Sequence, residues 1–157
     1  MQIHPSRPGN AALARKVTNA MQEELSAIAA YTANSVLLSP YLPAVAKLFA
    51  ETSLTEMKHY RHLSEIAARL DASPYPKTLV RPTPYSLNDD ADSHAIVVAR
   101  RMLSESITGE KAASAEYRRI SECIADETLK GFFAGLSADE AAHAKAFAAA
   151  LCRLDRS

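Results

Sequence analysis

The chain has little of several residue types that mark other classes of protein. Its two cysteines, Cys123 and Cys152, stand alone rather than in the Cys-x-x-Cys pairs that hold zinc or a rubredoxin-type iron. It has only four glycines among 157 residues and few β-branched runs. The spacing of apolar residues is helical almost throughout, so the sequence predicts an all-α protein.

Excess charge of either sign and long apolar runs are also missing. Eighteen basic and eighteen acidic residues cancel, which gives no electrostatic case for nucleic acid or an anionic membrane as the main partner. No run approaches the ~20 apolar residues of a membrane span, and the first residues lack the apolar stretch of a signal peptide. We therefore expect a cytoplasmic protein.

Length and composition fit one globular domain, residues 1–157, because 48% of the residues are hydrophobic and can form a sizeable core. Four helices are expected, at about 10–38, 40–70, 92–124 and 126–154. Ser39 and Pro40 suggest the N-cap and first residue of the second helix, and Asp126 suggests the N-cap of the fourth.

One long irregular segment separates the second helix from the third. Residues 72–91 contain four prolines and form a crossover between two helix pairs. Twenty residues in a polyproline conformation reach about 60 Å, which is more than the about 45 Å length of one helix. The sequence therefore predicts two antiparallel hairpins joined by a long crossover, so that the second hairpin can face the first.

The chain carries one pattern of metal-ligating residue types twice. Each copy has a lone glutamate seven residues before a tyrosine and then a Glu-x-x-His pair: Glu24, Tyr31, Glu56 and His59, and again Glu110, Tyr117, Glu140 and His143. The offset between the copies is 86 for the first two members and 84 for the last two. The i, i+3 spacing puts carboxylate and imidazole on one helix face. Four carboxylates and two histidines form a ligand set for two metal ions.

All six candidate ligands lie on the apolar stripes of their predicted helices, so we expect them to face inward. Glu24 and Glu56 are each sixteen residues from Pro40, which places them at one level of the first hairpin. A single glutamate of this kind is usually a tilted surface residue. Four buried carboxylates are different, because burial without counter-charge costs several kcal/mol each and two divalent cations would cancel them.

With these residues the chain resembles the ferritin-like superfamily, in particular the bacterioferritin and rubrerythrin branch of di-iron carboxylate proteins. The resemblance rests on Glu-Met-Lys-His at 56–59, Thr-Gly-Glu-Lys-Ala-Ala at 108–113 and Asp-Glu-Ala-Ala-His at 139–143. It implies a ferritin-like four-helix bundle and two iron ions, with manganese as the alternative. It also implies the ligand roles: Glu56 and Glu140 bridge the ions, Glu24 with His59 completes one shell, and Glu110 with His143 completes the other.

The chain departs from these relatives in several places. It lacks a rubredoxin-type cysteine cluster, and Ala113 stands where full-length rubrerythrins carry an extra carboxylate. It stops after the fourth helix, where bacterioferritins have a fifth, so we expect a homodimer or small homo-oligomer rather than a storage shell. Met57 occupies the position of a haem-ligating methionine in bacterioferritins. A methionine beside a metal face more often packs against a neighbour, so we do not expect haem.

Other residues have plainer interpretations. Tyr31 and Tyr117 are expected to contact ligand glutamates through hydrogen bonds, unless each is simply a core aromatic residue. Four residues of metal-binding type fall off the ligand stripes and are expected to be inert: Cys123 and Cys152 as packing thiols, His62 and His94 as solvent-facing side chains.

The sequence leaves three functions open. The first is a redox enzyme that reduces peroxide or dioxygen while oxidising Fe(II), with electrons from an unidentified donor. The second is a ferroxidase that serves iron storage or detoxification. The third is a helical bundle whose metals are structural and whose role is to bind a partner. The missing storage features favour the redox enzyme.

Overall fold

The computed structural model describes residues 8–87 and 91–156. All regular secondary structure in these two ranges is helical, which confirms the all-α prediction. The four helices are α1 (Pro8–Leu38), α2 (Pro43–Arg69), α3 (Ala91–Cys123) and α4 (Glu127–Leu154). Within the same ranges, none of the helices combines the length and the apolar character that crossing a membrane requires.

The start of α2 differs from the prediction that Ser39 and Pro40 begin this helix. The amide of Leu42 donates to the carbonyl of Leu38 at 2.8 Å, so the intervening residues form a turn at the end of α1. Pro43, the next proline after that turn, takes the first position of α2. Proline fits there because the first helical residue has no main-chain acceptor for an amide hydrogen.

The predicted N-cap of α4 is confirmed. Asp126 has an extended backbone (φ −77°, ψ 113°), and its side-chain Oδ1 accepts a hydrogen bond from the amide of Leu129 at 3.0 Å. Glu127 in the first turn and Arg153 in the last turn place charges that complement the helix dipole. Local sequence thus fixes the start of this helix.

A Schellman motif ends α2 and starts the crossover. The amide of Ala72 donates to the carbonyl of Ala67 at 2.9 Å, and the amide of Asp71 donates to Ala68 at 3.2 Å. This geometry requires a left-handed residue after the cap. Asp71 supplies it with φ 54°, and it is the only non-glycine residue with positive φ in the described chain.

The contacts divide the chain into two compact units. The first unit contains the described residues up to Ala33 together with Phe49–Pro84. The second contains Asn34–Leu48 together with the described residues from Tyr85 onward. Each unit therefore holds most of one predicted hairpin. A single domain over residues 1–157 stays a prediction.

In the first unit, α1 and α2 run antiparallel. The hydroxyl of Ser53 donates to the carbonyl of Ile28 at 3.4 Å, and the ring of Tyr31 packs on Phe49 with centroids 5.6 Å apart. The α2 partner therefore moves backward as the chain advances along α1, as the hairpin prediction requires. The most deeply buried apolar side chains of this unit include Val17, Met21, Phe49 and Leu63.

In the second unit, α3 and α4 form the corresponding antiparallel pair. Arg100 donates to the carbonyl of Leu154 at 3.2 Å, and the ring of Tyr117 packs on Phe133 with centroids 6.1 Å apart. The bond to Leu154 satisfies a main-chain carbonyl at the C-terminal end of α4, and the guanidinium of Arg100 also pairs with Asp155 at 2.9 Å. The most deeply buried apolar side chains here include Met102, Leu103, Ile120, Phe133 and Phe147.

Side chains on two helices hold the crossover. In the first unit, Gln22 of α1 accepts hydrogen bonds from the amides of Lys77 (3.2 Å) and Thr78 (3.3 Å) and donates to the Thr78 carbonyl at 3.4 Å. In the second unit, the Tyr85 hydroxyl donates to Glu105 of α3. The crossover lies against its helices through specific contacts, although its last three residues, 88–90, lie outside the described residues.

Candidate metal centre

The first candidate site consists of Glu24, Glu56 and His59, here called the first triad. Glu24 comes from α1, and the other two residues stand one turn apart on α2. The His59 Nδ1 atom lies 2.9 Å from Oε2 of Glu56 and 3.8 Å from Oε2 of Glu24. All three side chains are buried. The antiparallel pairing therefore brings together the three residues that the sequence assigns to this hairpin.

The second triad, Glu110, Glu140 and His143, repeats this geometry in the other unit. Glu110 comes from α3, and the other two residues stand one turn apart on α4. The His143 Nδ1 atom lies 3.0 Å from Oε2 of Glu140 and 3.7 Å from Oε2 of Glu110. The His143 side chain is 15% exposed, compared with 5% for His59. The second triad is therefore nearer to solvent at its imidazole.

The donor atoms of each triad are close enough to share one cation. Within each triad, one ligand atom from every residue lies within 4.8 Å of the others. Oε1 of Glu56 and Oε1 of Glu140 are buried and accept no hydrogen bond from the described residues, while their Oε2 atoms face the imidazoles. Two carboxylates and one imidazole are hard-to-borderline donors that suit a divalent first-row metal. The residues present fit such an ion.

Both tyrosines of the repeated pattern are buried, Tyr31 at 6% and Tyr117 at 3% exposure. Each packs its ring on a phenylalanine of the facing helix, at tilts of 42° and 39°. Because these ring contacts occur in both units, they belong to the repeat itself. The predicted hydrogen bonds from the tyrosines to ligand glutamates stay a prediction.

Most of the residues that the sequence excluded from the site are exposed, whereas most of the triad residues are buried. The expectation that Cys123 and Cys152 are packing thiols was wrong, because both are exposed. His62 is exposed as expected, whereas His94 is only partly exposed. Met57 is 50% exposed. Residues off the apolar stripe of an amphipathic helix face solvent whatever their chemistry.

Sequence reasoning missed a set of buried hydroxyl groups beside the triads. Ser53 and Ser137 each stand three residues before the Glu of the Glu-x-x-His pair, and both form hydrogen bonds to the facing helix. Their spacing of 84 residues equals the offset between the two Glu-x-x-His pairs. This shared offset was the available signal, but small polar residues occur in many helices without such contacts.

The fold and the triads define an all-α protein whose helical hairpins each carry the donor set for a metal ion. Residues 15–157 match the Ferritin family, described as a ferritin-like domain. The chain therefore belongs to the ferritin-like family. No curated protein sequence matches it.

A solved structure with the same fold is the bacterioferritin of Rhodobacter capsulatus. The TM-score is 0.75 at 24% sequence identity, and the match covers 93% of this chain and 87% of that chain. That bacterioferritin is described as having a metal-free dinuclear site and a haem iron. At this identity the likeness shows the fold alone, which is the ferritin-like four-helix bundle.

Proposed function

We propose that this protein is a non-haem di-iron carboxylate protein that reduces peroxide or dioxygen while oxidising Fe(II). One observation carries the proposal: a triad of two buried carboxylates and one imidazole occurs twice with matching distances. In this proposal the first triad holds one ion and the second triad holds the other. Manganese is the alternative metal, because it accepts the same donors.

The electrical balance of the triads supports bound cations. Each triad places two buried carboxylates beside at most one imidazolium, and no lysine or arginine in residues 8–87 and 91–156 is buried. Charge taken out of water is costly unless it is paired. A divalent ion per triad neutralises both carboxylates and leaves the imidazole as a neutral ligand.

The proposed reaction requires two electrons for each molecule of hydrogen peroxide that is reduced. Reduction of one hydrogen peroxide to two waters consumes two electrons and two protons. The six ligand residues would hold two ferrous ions, and this pair would supply the two electrons on oxidation to the ferric state. The ligand side chains would hold the ions and limit the access of bulk water, since five of the six ligand residues are buried. An unidentified donor would then return the ions to the ferrous state.

A second function, ferroxidation for iron storage or detoxification, is favoured by the shared fold with a bacterioferritin. In that case Fe(II) is a substrate that passes through the triads rather than a resident cofactor. The two functions use the same ligands and differ in the fate of the ferric ions after oxidation. A homodimer or small homo-oligomer stays a prediction, which light scattering tests.

Stopped-flow kinetics distinguish the two functions. Anaerobic protein loaded with two Fe(II) per chain is mixed with hydrogen peroxide or with dioxygen, and ferric absorbance is followed. We expect faster oxidation by peroxide, at a yield of two ferric ions per chain that stops until a reductant is added. Continued consumption of excess Fe(II), with a growing ferric mineral and no preference for peroxide, would instead establish the storage function.

A further inference from the structure

A pair of serines links α3 to α4 beside the second triad. The Ser137 hydroxyl donates to the Ser114 carbonyl and the Ser114 hydroxyl donates to the Ser137 carbonyl, both at 2.8 Å. The two hydroxyl oxygens lie 3.2 Å apart and both residues are buried. Ser114 is four residues after Glu110, and Ser137 is three before Glu140. The reciprocal serine link therefore stands about one helical turn, a rise of about 5 Å along the helix axis, from the positions of the two ligand glutamates.

The first triad has a weaker counterpart. Ser53, three residues before Glu56, donates to the carbonyl of Ile28 at 3.4 Å. Ile28 is four residues after Glu24 and has no hydroxyl with which to return the bond. The Ser53 hydroxyl instead contacts the hydroxyl of Thr32 at 2.8 Å, and Thr32 is exposed. In this single serine link the bond to a main-chain carbonyl is longer than either such bond of the reciprocal link, and the hydroxyl contact is partly open to water, which competes for hydrogen bonds.

The two links occupy equivalent places in the repeat. Ser53 and Ser137 are 84 residues apart, the offset of the Glu-x-x-His pairs, and Ile28 and Ser114 are 86 apart, the offset of the lone glutamates. The link therefore joins, in each hairpin, the two helices that supply the ligands. At the position shared by Ile28 and Ser114 the two links differ by one hydroxyl group, and the first link has in addition the Thr32 hydroxyl, whose place 86 residues later is taken by Arg118.

We propose that Ser114 and Ser137 are positioning residues for the second triad, and that the reciprocal link makes this triad the tighter of two unequal metal sites. The inference rests on the proposed function, in which each triad holds one ion. Ligands whose helices are already fixed lose less freedom when an ion binds, so their affinity is higher. The greater exposure of His143 affects how an ion enters the triad, whereas the serine link affects how far α3 and α4 must move to hold it.

An anaerobic titration with Co(II), followed by visible absorption, tests this ordering. The wild-type chain should fill in two steps whose dissociation constants differ by about tenfold, the size expected for one additional hydrogen bond. His143→Ala should remove the tighter step and His59→Ala the weaker one. Weaker binding at the second triad than at the first would overturn the proposal.

The double variant S114A/S137A should weaken the tighter step about tenfold and leave the other step within twofold. Ser106→Ala is the matched control. Ser106 is buried on α3, four residues before Glu110, but its hydroxyl donates a hydrogen bond to the main-chain carbonyl of Met102 within its own helix at 2.8 Å. Both variants can lower the melting temperature, but only the double variant should change the ratio of the two dissociation constants. An unchanged ratio would show that the serines have only a structural role.

The reverse substitution covers the case in which the double variant does not fold. Ile28→Ser supplies the missing hydroxyl of the first link, so it should tighten the weaker step and bring the two constants together. If the weaker step does not tighten, the positioning role is refuted. Wild-type protein that binds less than one Co(II) per chain would refute the proposed function as well, whereas two equal sites that respond alike to all variants would refute only this inference.

Discussion

The Nδ1 atom of His59 lies 2.9 Å from Oε2 of Glu56, its neighbour one turn earlier on α2. Because both residues belong to one helix, the α-helical backbone alone brings them together. The third member, Glu24, lies 3.8 Å from the same nitrogen and belongs to another helix. Each triad thus combines a locally fixed pair with one carboxylate that only the packing of the hairpin supplies.

Metal content follows from the two triads. Anaerobic reconstitution with Fe(II) should give two ions per chain by elemental analysis. His59→Ala and His143→Ala should each lower this to about one. Glu56→Ala or Glu140→Ala should remove most of both if these glutamates bridge the ions, as the family resemblance implies. Glu23→Ala is the control, because Glu23 adjoins Glu24 on α1 but is exposed.

The buried carboxylates should make the metal-free protein less stable than its neutral variants. Glu140→Gln keeps the size of a side chain that is 1% exposed but removes its charge. Without metal, we expect this variant to raise the free energy of unfolding by about 1 kcal/mol in urea titrations. It should also lose most of the stabilisation that Fe(II) gives the wild type.

The corresponding acid-to-amide substitution at Asp139 is the control for Glu140→Gln. Asp139 adjoins Glu140 on α4 but is exposed, so Asp139→Asn should change the free energy of unfolding by less than about 0.5 kcal/mol. A decrease in metal-free stability on Glu140→Gln would contradict the idea that the triads are electrostatically strained without a cation.

Tyr85 should ionise at a higher pH than an ordinary tyrosine, because its pKa is raised. Burial, and then its hydrogen bond to Glu105, raise the pKa of Tyr85 to about 12. The raised pKa means that Tyr85 stabilises the fold fully below pH 10 and loses this contribution as the pH rises through about 12. Absorbance at about 295 nm should show one tyrosine ionising in that range, and Tyr85→Phe should remove it.

The hydrogen bond between Tyr85 and Glu105 also changes the pKa of the Glu105 carboxyl. Its hydrogen bond from Tyr85, followed by the bond from Arg101, lowers the pKa of the Glu105 carboxyl. This contribution to stability is therefore present above the ordinary pKa of a glutamate and is lost as the pH falls through the lowered value. Carboxyl NMR titration should show the pKa of Glu105 rising in Tyr85→Phe. An unchanged value would mean that this contact does not persist in solution.

Substitutions of Asp71, the left-handed residue at the end of α2, test the stability of the fold without changing the triads. Asp71→Gly should raise the free energy of unfolding by about 0.5 kcal/mol, because glycine adopts φ 54° without steric cost. Asp71→Val should lower it by about 1 to 2 kcal/mol. As a control, Asp139→Gly inside α4 should be destabilising by about 1 kcal/mol. Equal effects of glycine at both positions would argue against the Schellman geometry.

Much of the fold and of the candidate site could be predicted from sequence because the signals are local. Apolar spacing located the four helices, and Asp126 marked the start of α4. The i, i+3 pairing of Glu56 with His59 requires only an α-helix. The choice between Pro40 and Pro43 as the first residue of α2 could not be made locally, because either proline suits that position. The amide of Leu42 donates to the carbonyl of Leu38, and this turn leaves Pro43 as the first residue of α2.

The sequence by itself determined which residues are able to form each triad, since residue type and helical face are properties of one segment. Only the tertiary structure decided which contacts form between helices and with the crossover. These are the serine links, the ring contacts of Tyr31 and Tyr117, and the hydrogen bonds of Gln22 to the crossover. These contacts join residues far apart in the chain. They depend on the register and closeness of packed helices, which small residues such as Ser114 permit and which no periodicity within one helix records.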